Sequence, residues 1–272
     1  MSIIIGNKYK ILEKIGSGSF GTIYKGENIR NKEHVAIKVE PIHPEMKLLK
    51  NEATVYQYLK GIKGIPNVKW FGKEETCYYM VIQLLGDSLE VIKQRKGRFS
   101  LRLTLQIGIQ ILEILSGIHE RGLVHRDIKP DNFLLGMQES TIYLIDFGFC
   151  KTYIKNGDRE HILMKSNKQL VGSPNYASIN SHNLLELSRR DDLESVGYML
   201  CYFYFGELEW GNDTGLDIKK KKQMFLLNIN KNKNKEKVPE IILVYFEYVY
   251  SLAFEETPDY SLLISLCKDA IE

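Results

Sequence analysis

Long apolar runs, paired cysteines and a strong net charge are all missing from this sequence of 272 residues. No uncharged apolar run reaches the roughly 18 residues that a membrane-spanning helix needs, which argues against a span of the bilayer. The four cysteines stand far apart and form no CxxC pair, so we expect a reduced, intracellular protein without a disulfide framework or zinc knuckle. The N-terminus lacks the pattern of a secretory signal. A net charge of +3 is too weak to indicate nucleic acid as the partner.

The residues that are present predict an α+β protein in two unequal parts. Hydrophobic residues make up 44% of the chain and charged residues 26%, which is typical of a globular protein. β-branched and aromatic runs predict strands at residues 9–15, 21–26, 35–39, 68–71 and 77–84, with one helix at 45–59. After a break at residues 86–88, the pattern predicts helices at 103–118, 192–205, 219–227 and 239–254, and a hairpin of 133–135 with 142–145.

A glycine-rich stretch lies between the first two predicted strands. It reads Gly16-Ser17-Gly18-Ser19-Phe20-Gly21 and fits the pattern GxGxxG. A dinucleotide site would need a helix directly after the glycines, but here a second strand follows. Glycines between two strands favour a flap whose backbone N–H groups close over phosphates. The alternative is a hairpin turn with no ligand.

Lys38 lies in a predicted strand, and Glu52 lies in the helix that follows it. A lysine at such a position either faces solvent or is held by an acidic partner. An ion pair with Glu52 would aim the ammonium group at phosphate oxygens. The spacing alone leaves both readings open.

A charged run between two apolar segments is seldom a plain solvated face, and residues 125–132 form such a run, His-Arg-Asp-Ile-Lys-Pro-Asp-Asn. Asp127 and Asn132 suit a loop that presents a carboxylate base and an amide metal ligand. Asp146 follows a predicted strand and precedes Phe147-Gly148, a position typical of a ligand for a hard cation.

At these residues the sequence resembles the protein kinases, because five motifs occur in the family's order along almost the whole chain. The lysine two residues after Asp127, Lys129, makes the sequence similar to the serine/threonine class of kinases. A narrower resemblance to the casein-kinase-1 family rests on Tyr176-Ala-Ser-Ile-Asn180, where most kinases have Ala-Pro-Glu, and on Ser188-Arg-Arg-Asp-Asp-Leu-Glu-Ser195. Further matches are Gly64-Ile-Pro-Asn67, Leu84-Leu-Gly86 and Pro258-Asp-Tyr-Ser261.

The resemblance implies a bilobal fold and one protein kinase domain at residues 9–272. Family members often continue into a regulatory tail, but we expect no separate tail domain here. The N-lobe would span residues 1–84, the hinge 82–87 and the C-lobe 88–272. ATP would be contacted by Ile15, Gly16, Ser17, Gly18, Ser19, Phe20, Gly21, Thr22, Ile23, Ala36, Lys38, Glu52, Ile82, Gln83, Leu84 and Leu85.

The resemblance also implies the catalytic roles. Asp127 would accept the proton of the substrate hydroxyl, Lys129 would stabilise the transferred phosphoryl group, and Ser173 would bridge the two. Asn132 and Asp146 would hold Mg²⁺. Asp192 would brace the catalytic loop.

The implied activity is transfer of the γ-phosphate of ATP to serine or threonine in proteins with acidic or phosphorylated residues before the target. We expect a monomer in the cytoplasm, the nucleus or both, without stable nucleic-acid or membrane binding. The alternatives are a pseudokinase, which would have lost a catalytic Lys, Asp or Asn, and a nucleic-acid-binding module, which would need more aromatic residues near its lysines.

Two lysine-rich stretches fit either a solvated face or an anion site for acidic substrates. They are residues 219–222 and residues 228–237. The family holds a phosphorylated substrate residue with an arginine, at a position occupied here by the neutral Asn175, together with lysines farther along. We expect residues 219–222 to remain as point charges, so the preference for phosphorylated substrates should be weak.

Overall fold

The chain folds into two compact units, and each unit is made of two separate stretches of the sequence. A computed structural model describes residues 3–18, 21–42, 48–138, 140–155, 160–166, 168–228 and 238–272. Unit 1 comprises Met1–Asp87 and Leu134–Gly148, and unit 2 comprises Ser88–Phe133 and Phe149–Glu272. The β-rich N-terminal region and the helical C-terminal region confirm the predicted α+β class. The domain boundaries given above stay a prediction.

Unit 1 is built around an antiparallel sheet of six strands in the order β1-β2-β3-β4-β6-β5. Its strands are β1 (Ile4–Ile5), β2 (Tyr9–Gly18), β3 (Gly21–Asn28), β4 (His34–Pro41), β5 (Val68–Glu74) and β6 (Cys77–Gln83). The β-branched residues Val35, Ile37 and Val81 pack with Ile5 and Tyr9 in its core. These apolar contacts fix the register of β4, the strand that carries Lys38.

One helix accompanies the sheet, α1 (Leu48–Tyr58). Its buried residues Leu49, Glu52, Ala53 and Tyr56 recur three and four positions apart and therefore share one face. The prediction placed the start of this helix at residue 45, but residues 43–47 lie outside the described residues. The carboxylate of Glu40 accepts a hydrogen bond of 3.0 Å from the backbone N–H of Leu49, which satisfies a free donor at the helix start.

The second stretch of unit 1 begins in the hairpin of β8 (Phe133–Leu135) and β9 (Ile142–Leu144). The backbone oxygen of Leu135 accepts a hydrogen bond of 2.8 Å from the N–H of Gly86. The N–H of Leu144 donates a bond of the same length to the oxygen of Gly64. These bonds anchor the chain that leads to Asp146 within unit 1.

Unit 2 is mostly helical. In the described residues its helices are α2 (Leu89–Lys96), α3 (Leu101–Glu120), α4 (Ile179–His182), α5 (Arg189–Phe205), α6 (Leu216–Asn228), α7 (Glu240–Ser251) and α8 (Tyr260–Asp269). Two short strands, β7 (Leu123–Val124) and β10 (Lys151–Thr152), pair with each other. α3 is long and apolar enough to span a membrane by length and composition, but it packs inside unit 2 against α5 and α8.

Several helices differ from their predicted form: α2, α4 and α8 were not predicted, and α3 and α6 extend beyond their predicted ends. α5 begins at Arg189 and not at Asp192, because the Asp191 carboxylate accepts a 2.8 Å hydrogen bond from the N–H of Ser188 and caps the earlier start. α7 ends at Ser251, before the predicted residue 254. α2 was not predicted, since Leu89 is its only buried residue, although the Ser88 hydroxyl caps it at Val91.

Candidate active site

The glycine-rich stretch forms the end of the β2–β3 hairpin. Gly16 lies opposite Ile23, Ser17 opposite Thr22, and Gly18 opposite Gly21. A Cβ atom at Gly21 would lie 2.2 Å from the backbone oxygen of Val39, so no other residue fits here without moving β4. Ile15 precedes the turn and is largely exposed. Ser19 and Phe20 lie outside the described residues.

Lys38 lies between two carboxylates within unit 1. Its Nζ atom is 2.7 Å from Oε2 of Glu52 and 3.4 Å from Oδ1 of Asp146. Burial lowers the pKa of Lys38, but the two carboxylates outweigh it and raise the pKa above its ordinary value. Burial raises the pKa of Glu52, and the Lys38 ammonium opposes that change. The structure thus brings together the pair that the spacing left open, with a cation held in place and fully charged at neutral pH.

Tyr56 contributes to this cluster and was missed from the sequence. Its hydroxyl accepts a 3.2 Å hydrogen bond from the backbone N–H of Asp146. Its ring meets that of Phe147 edge to face, with centroids 4.8 Å apart. Tyr56 follows Glu52 by one helical turn, and this i, i+4 spacing is the signal that could have found it. It helps to hold Asp146, whose φ of 66° lies in the left-handed region.

The remaining nucleotide residues predicted in unit 1 lie on or just after neighbouring strands. Ala36 of β4 is the register partner of Ile82 in β6. Gln83 ends β6, and its side-chain oxygen accepts a 3.4 Å hydrogen bond from the N–H of Asn67. Leu84 and Leu85 follow directly. Their contacts with adenine stay a prediction.

In unit 2 a second cluster surrounds Asp127, which is 4% exposed. Lys129 Nζ lies 2.8 Å from Oδ2 of Asp127 and donates a 3.0 Å hydrogen bond to the Ser173 hydroxyl. The Asn132 amide donates to the backbone oxygen of Asp127 at 2.8 Å and to its Oδ2 atom at 3.3 Å. The structure therefore brings together all four residues that the sequence singled out here.

The surroundings of Asp127 keep its carboxylate ionised. Burial raises its pKa, but the hydrogen bond and charge of Lys129, with a contribution from Ser173, outweigh burial and hold the pKa below its ordinary value. An ionised, oriented carboxylate can accept a hydrogen bond from a hydroxyl group and receive its proton as that oxygen reacts.

The loop that carries Asp127 is braced from α5. The buried carboxylate of Asp192 accepts hydrogen bonds from the backbone N–H groups of His125 and Arg126, at 2.7 and 2.8 Å. His119 Nε2 lies 2.9 Å from the same carboxylate. Arg126 has a φ of 69°, a strained conformation that this bracing maintains. The role of His119 could not be predicted from the sequence, because its position is that of an ordinary residue near the end of a buried helix.

Two of the predicted ligands have the chemistry of a magnesium site. Asp146 offers carboxylate oxygens and Asn132 an amide oxygen, and hard oxygen ligands of this kind fit Mg²⁺. Asp146 belongs to unit 1 and Asn132 to unit 2. Within the described ranges no cluster of three or more His, Cys, Asp or Glu side chains could hold a metal ion unaided.

The prediction for residues 219–222 is wrong at one position. Lys220 and Lys221 are exposed, but Lys222 is fully buried and is no surface point charge. Of the second lysine-rich stretch, residues 228–237, only residue 228 is described, so Lys231, Lys233, Lys235 and Lys237 lie outside the described residues. An anion site among the remaining lysines stays a prediction.

A family model described as protein kinase domain matches residues 9–269. The match includes the glycine-rich hairpin, the Lys38 cluster and the Asp127 cluster. Protein kinases are phosphotransferases, and the family generally uses ATP and Mg²⁺. The chain belongs to the protein kinase family.

Proposed function

We propose that this chain is an ATP-dependent serine/threonine kinase of the casein-kinase-1 type. Its substrates are proteins with acidic or phosphorylated residues before the target hydroxyl. The observation that carries the proposal is the arrangement around Asp127, where an ionised carboxylate, the Lys129 ammonium and the Ser173 hydroxyl are in mutual contact. This set can orient a substrate hydroxyl, receive its proton and neutralise charge on a transferred phosphoryl group.

The residues of unit 1 have the binding roles. Lys38, kept charged and aimed by Glu52, contacts phosphate oxygens of ATP, and the glycine-rich hairpin offers backbone N–H groups to them. Asp146 and Asn132 would each supply an oxygen ligand to Mg²⁺, which would neutralise phosphate charge. Ile82, Gln83, Leu84 and Leu85 contact adenine, and Ala36 lies beside Ile82.

The serine/threonine assignment rests on Lys129 and its partner. Lys129 reaches both Asp127 and Ser173, so one side chain ties the catalytic loop to the segment that receives the substrate. Removal of Lys129 would leave the buried Asp127 carboxylate without its cationic partner. The sequence resemblance to the serine/threonine kinases rests on the same residue, Lys129.

The casein-kinase-1 assignment is supported by contacts between its two diagnostic motifs. The Ser178 hydroxyl donates a 2.7 Å hydrogen bond to Asp191 Oδ1, and the Asn180 amide donates to the same atom at 3.0 Å. Ser-Ile-Asn is therefore joined directly to Arg-Arg-Asp-Asp within unit 2. The two motifs are parts of one hydrogen-bonded unit, which explains why they occur together in this sequence.

The test is transfer of ³²P from ATP with Mg²⁺ to casein, by the natural chain and by Asp127→Asn. We expect transfer by the natural chain, label on serine and threonine only, and a loss of at least about a hundredfold in the variant. Nucleotide binding should persist in Asp127→Asn, which shows that the variant is folded. Equal activity in the two proteins would indicate a contaminating kinase and support the pseudokinase alternative, whereas label on tyrosine would overturn the class.

A further inference from the structure

Lys222 differs from every other lysine of α6 in its environment. It is fully buried, and its ammonium donates hydrogen bonds to two backbone oxygens, of Pro174 at 2.8 Å and of Ala177 at 2.6 Å. The Nζ atom also lies 4.5 Å from the ring centre of Tyr198 and 5.6 Å from that of Trp210. Burial of a lysine is costly unless its charge is well compensated, so this placement calls for an explanation beyond solubility.

The backbone segment that accepts the hydrogen bonds of Lys222 leads directly to the Asp127 cluster. The N–H groups of Tyr176 and Ala177 both donate to the oxygen of Ser173 at 2.9 Å, which folds residues 173–177 into a tight turn. The indole N–H of Trp210 donates to the oxygen of Asn175 at 2.8 Å. Side chains of α6 and of the loop before it thus bind three of the backbone oxygens of this turn, and Ser173 at its start binds Asp127.

The groups that face Lys222 come from two neighbouring helices. His182 of α4 has its Nε2 atom 3.4 Å from Nζ and also contacts the oxygen of Pro174. On α5, Glu194 accepts hydrogen bonds from the N–H of Ile179 and the hydroxyl of Tyr198.

The pKa values of these three groups depend on burial and on one another. Burial lowers the pKa of Lys222 to about 7, although the charge of Glu194 opposes this decrease. Burial, followed by the charge of Asp191, raises the pKa of Glu194. Burial and the charge of Lys222 lower the pKa of His182.

We propose that Lys222 is a positioning residue, whose buried ammonium clamps the turn of residues 173–177 and so fixes Ser173 against Asp127. The proposal rests on the proposed function for its effect on catalysis, but the clamp itself is a property of the fold. A charged amine binds carbonyl oxygens more strongly than a neutral one. As the pH rises through the range in which Lys222 loses its proton, the clamp weakens and kcat falls.

The experiment compares Lys222→Met with Lys221→Met in the full chain. Both variants replace a lysine of α6 with an unbranched side chain and remove one positive charge, so an effect of charge on acidic substrates is common to both. Lys221 is exposed and binds Asp213 and the oxygen of Glu209, away from the turn. Amide hydrogen exchange at residues 176 and 177 reports on the turn without any need for activity. In addition, kcat and the KM for ATP are measured with casein as the substrate from about pH 6 to 9.

We expect the amides of residues 176 and 177 to exchange about tenfold faster in Lys222→Met than in Lys221→Met, and kcat to be about tenfold lower with little change in the KM for ATP. The alkaline fall in kcat should be clearly smaller in Lys222→Met than in Lys221→Met, because only Lys222→Met removes the group whose loss of a proton weakens the clamp. Equal exchange and equal pH profiles in the two variants would overturn the proposal.

Two further outcomes separate this proposal from the proposed function. If no protein transfers phosphate, the proposed function fails, but the exchange measurement still decides whether Lys222 clamps the turn. If Lys222→Met does not fold, exchange is followed in the natural chain against pH, after correction for the intrinsic rate. Loss of protection at residues 176 and 177 as the pH rises above about 7 supports the clamp, and constant protection contradicts it.

Discussion

Ser173 donates two hydrogen bonds to a single oxygen of Asp127. Its backbone N–H lies 2.8 Å from Oδ1 and its hydroxyl 3.0 Å from the same atom. The carboxylate is thereby fixed in rotation, with Oδ2 left to Lys129 and Asn132. Gly172, just before Ser173, has a φ of 86°, and a Cβ atom there would lie 2.5 Å from the backbone oxygen of Arg126. The close approach of these two segments therefore depends on glycine.

Ser173→Ala should lower kcat by about tenfold, because one of the two bonds to Asp127 Oδ1 is lost while the backbone bond remains. The hydroxyl helps to hold the pKa of Asp127 below its ordinary value, against burial, so its removal raises that pKa. The acidic limb of the profile of kcat against pH should move to higher pH. Ser173→Thr, which keeps the hydroxyl, is the control. An unshifted acidic limb in Ser173→Ala would contradict the assignment of this bond.

Lys38→Met and Asp146→Asn should each abolish phosphate transfer and leave the fold intact, because neither opens a cavity in the core. Asparagine also tolerates the left-handed conformation of residue 146, where φ is 66°. The measurements are ³²P transfer to casein and the thermal unfolding midpoint. Lys60→Met, at an exposed lysine outside both clusters, is the control for loss of charge. Activity above a few per cent of the natural rate in either variant would remove these residues from the catalytic set.

Phosphatase treatment should leave the activity unchanged. In many kinases the arginine before the catalytic aspartate needs a phosphate in the activation segment as its partner. Here Arg126 Nε already donates a 2.7 Å hydrogen bond to the backbone oxygen of Phe149, and the Asp192 carboxylate holds its backbone N–H. The check is the rate before and after treatment, with loss of phosphate verified by mass spectrometry. A large loss that returns on rephosphorylation would show that a phosphate is required.

Asn175→Arg should raise kcat/KM for peptides with a phosphorylated residue three positions before the target, by about tenfold relative to the unphosphorylated peptides. The Asn175 amide donates to the oxygen of Gly211 at 3.2 Å and supplies no charge. Since Lys222 is buried, fewer lysines remain for a phosphate than the sequence suggested. Asn175→Gln is the uncharged control. A strong preference for the phosphorylated peptide in the natural chain, persisting at high salt, would refute this argument.

Most of the strands, most of the longer helices and both side-chain clusters could be predicted, because their signals are local or ordered along the chain. The β-branched run around Lys38 predicts a strand by itself, and the apolar density of residues 103–118 predicts a buried helix. The candidate catalytic residues were identified by the order of their motifs. The contacts among Asp127, Lys129, Asn132 and Ser173 then follow from folding, which brings Ser173 back to the loop.

The burial of Lys222 could not be predicted, because four consecutive lysines have the pattern of a solvated face. Its position depends on how α6 packs on α4 and on the turn of residues 173–177, and no periodicity in α6 reveals that packing. Tyr56 and His119 were missed for a related reason. Each is an ordinary core residue by pattern, and its role appears only when a distant partner, Asp146 or Asp192, folds against it.

The interrupted course of the chain through unit 1 sets the order in which that unit can be completed during synthesis. A ribosome releases residues 1–87 first, but the hydrogen-bond partners of Gly64 and Gly86, and the carboxylate of Asp146, arrive only with residues 134–148. Unit 1 therefore remains incomplete until the 46 intervening residues of unit 2, residues 88–133, and then residues 134–148 have been synthesised. A gene cut after codon 87 would yield a fragment that lacks both these backbone partners and one of the two carboxylates beside Lys38.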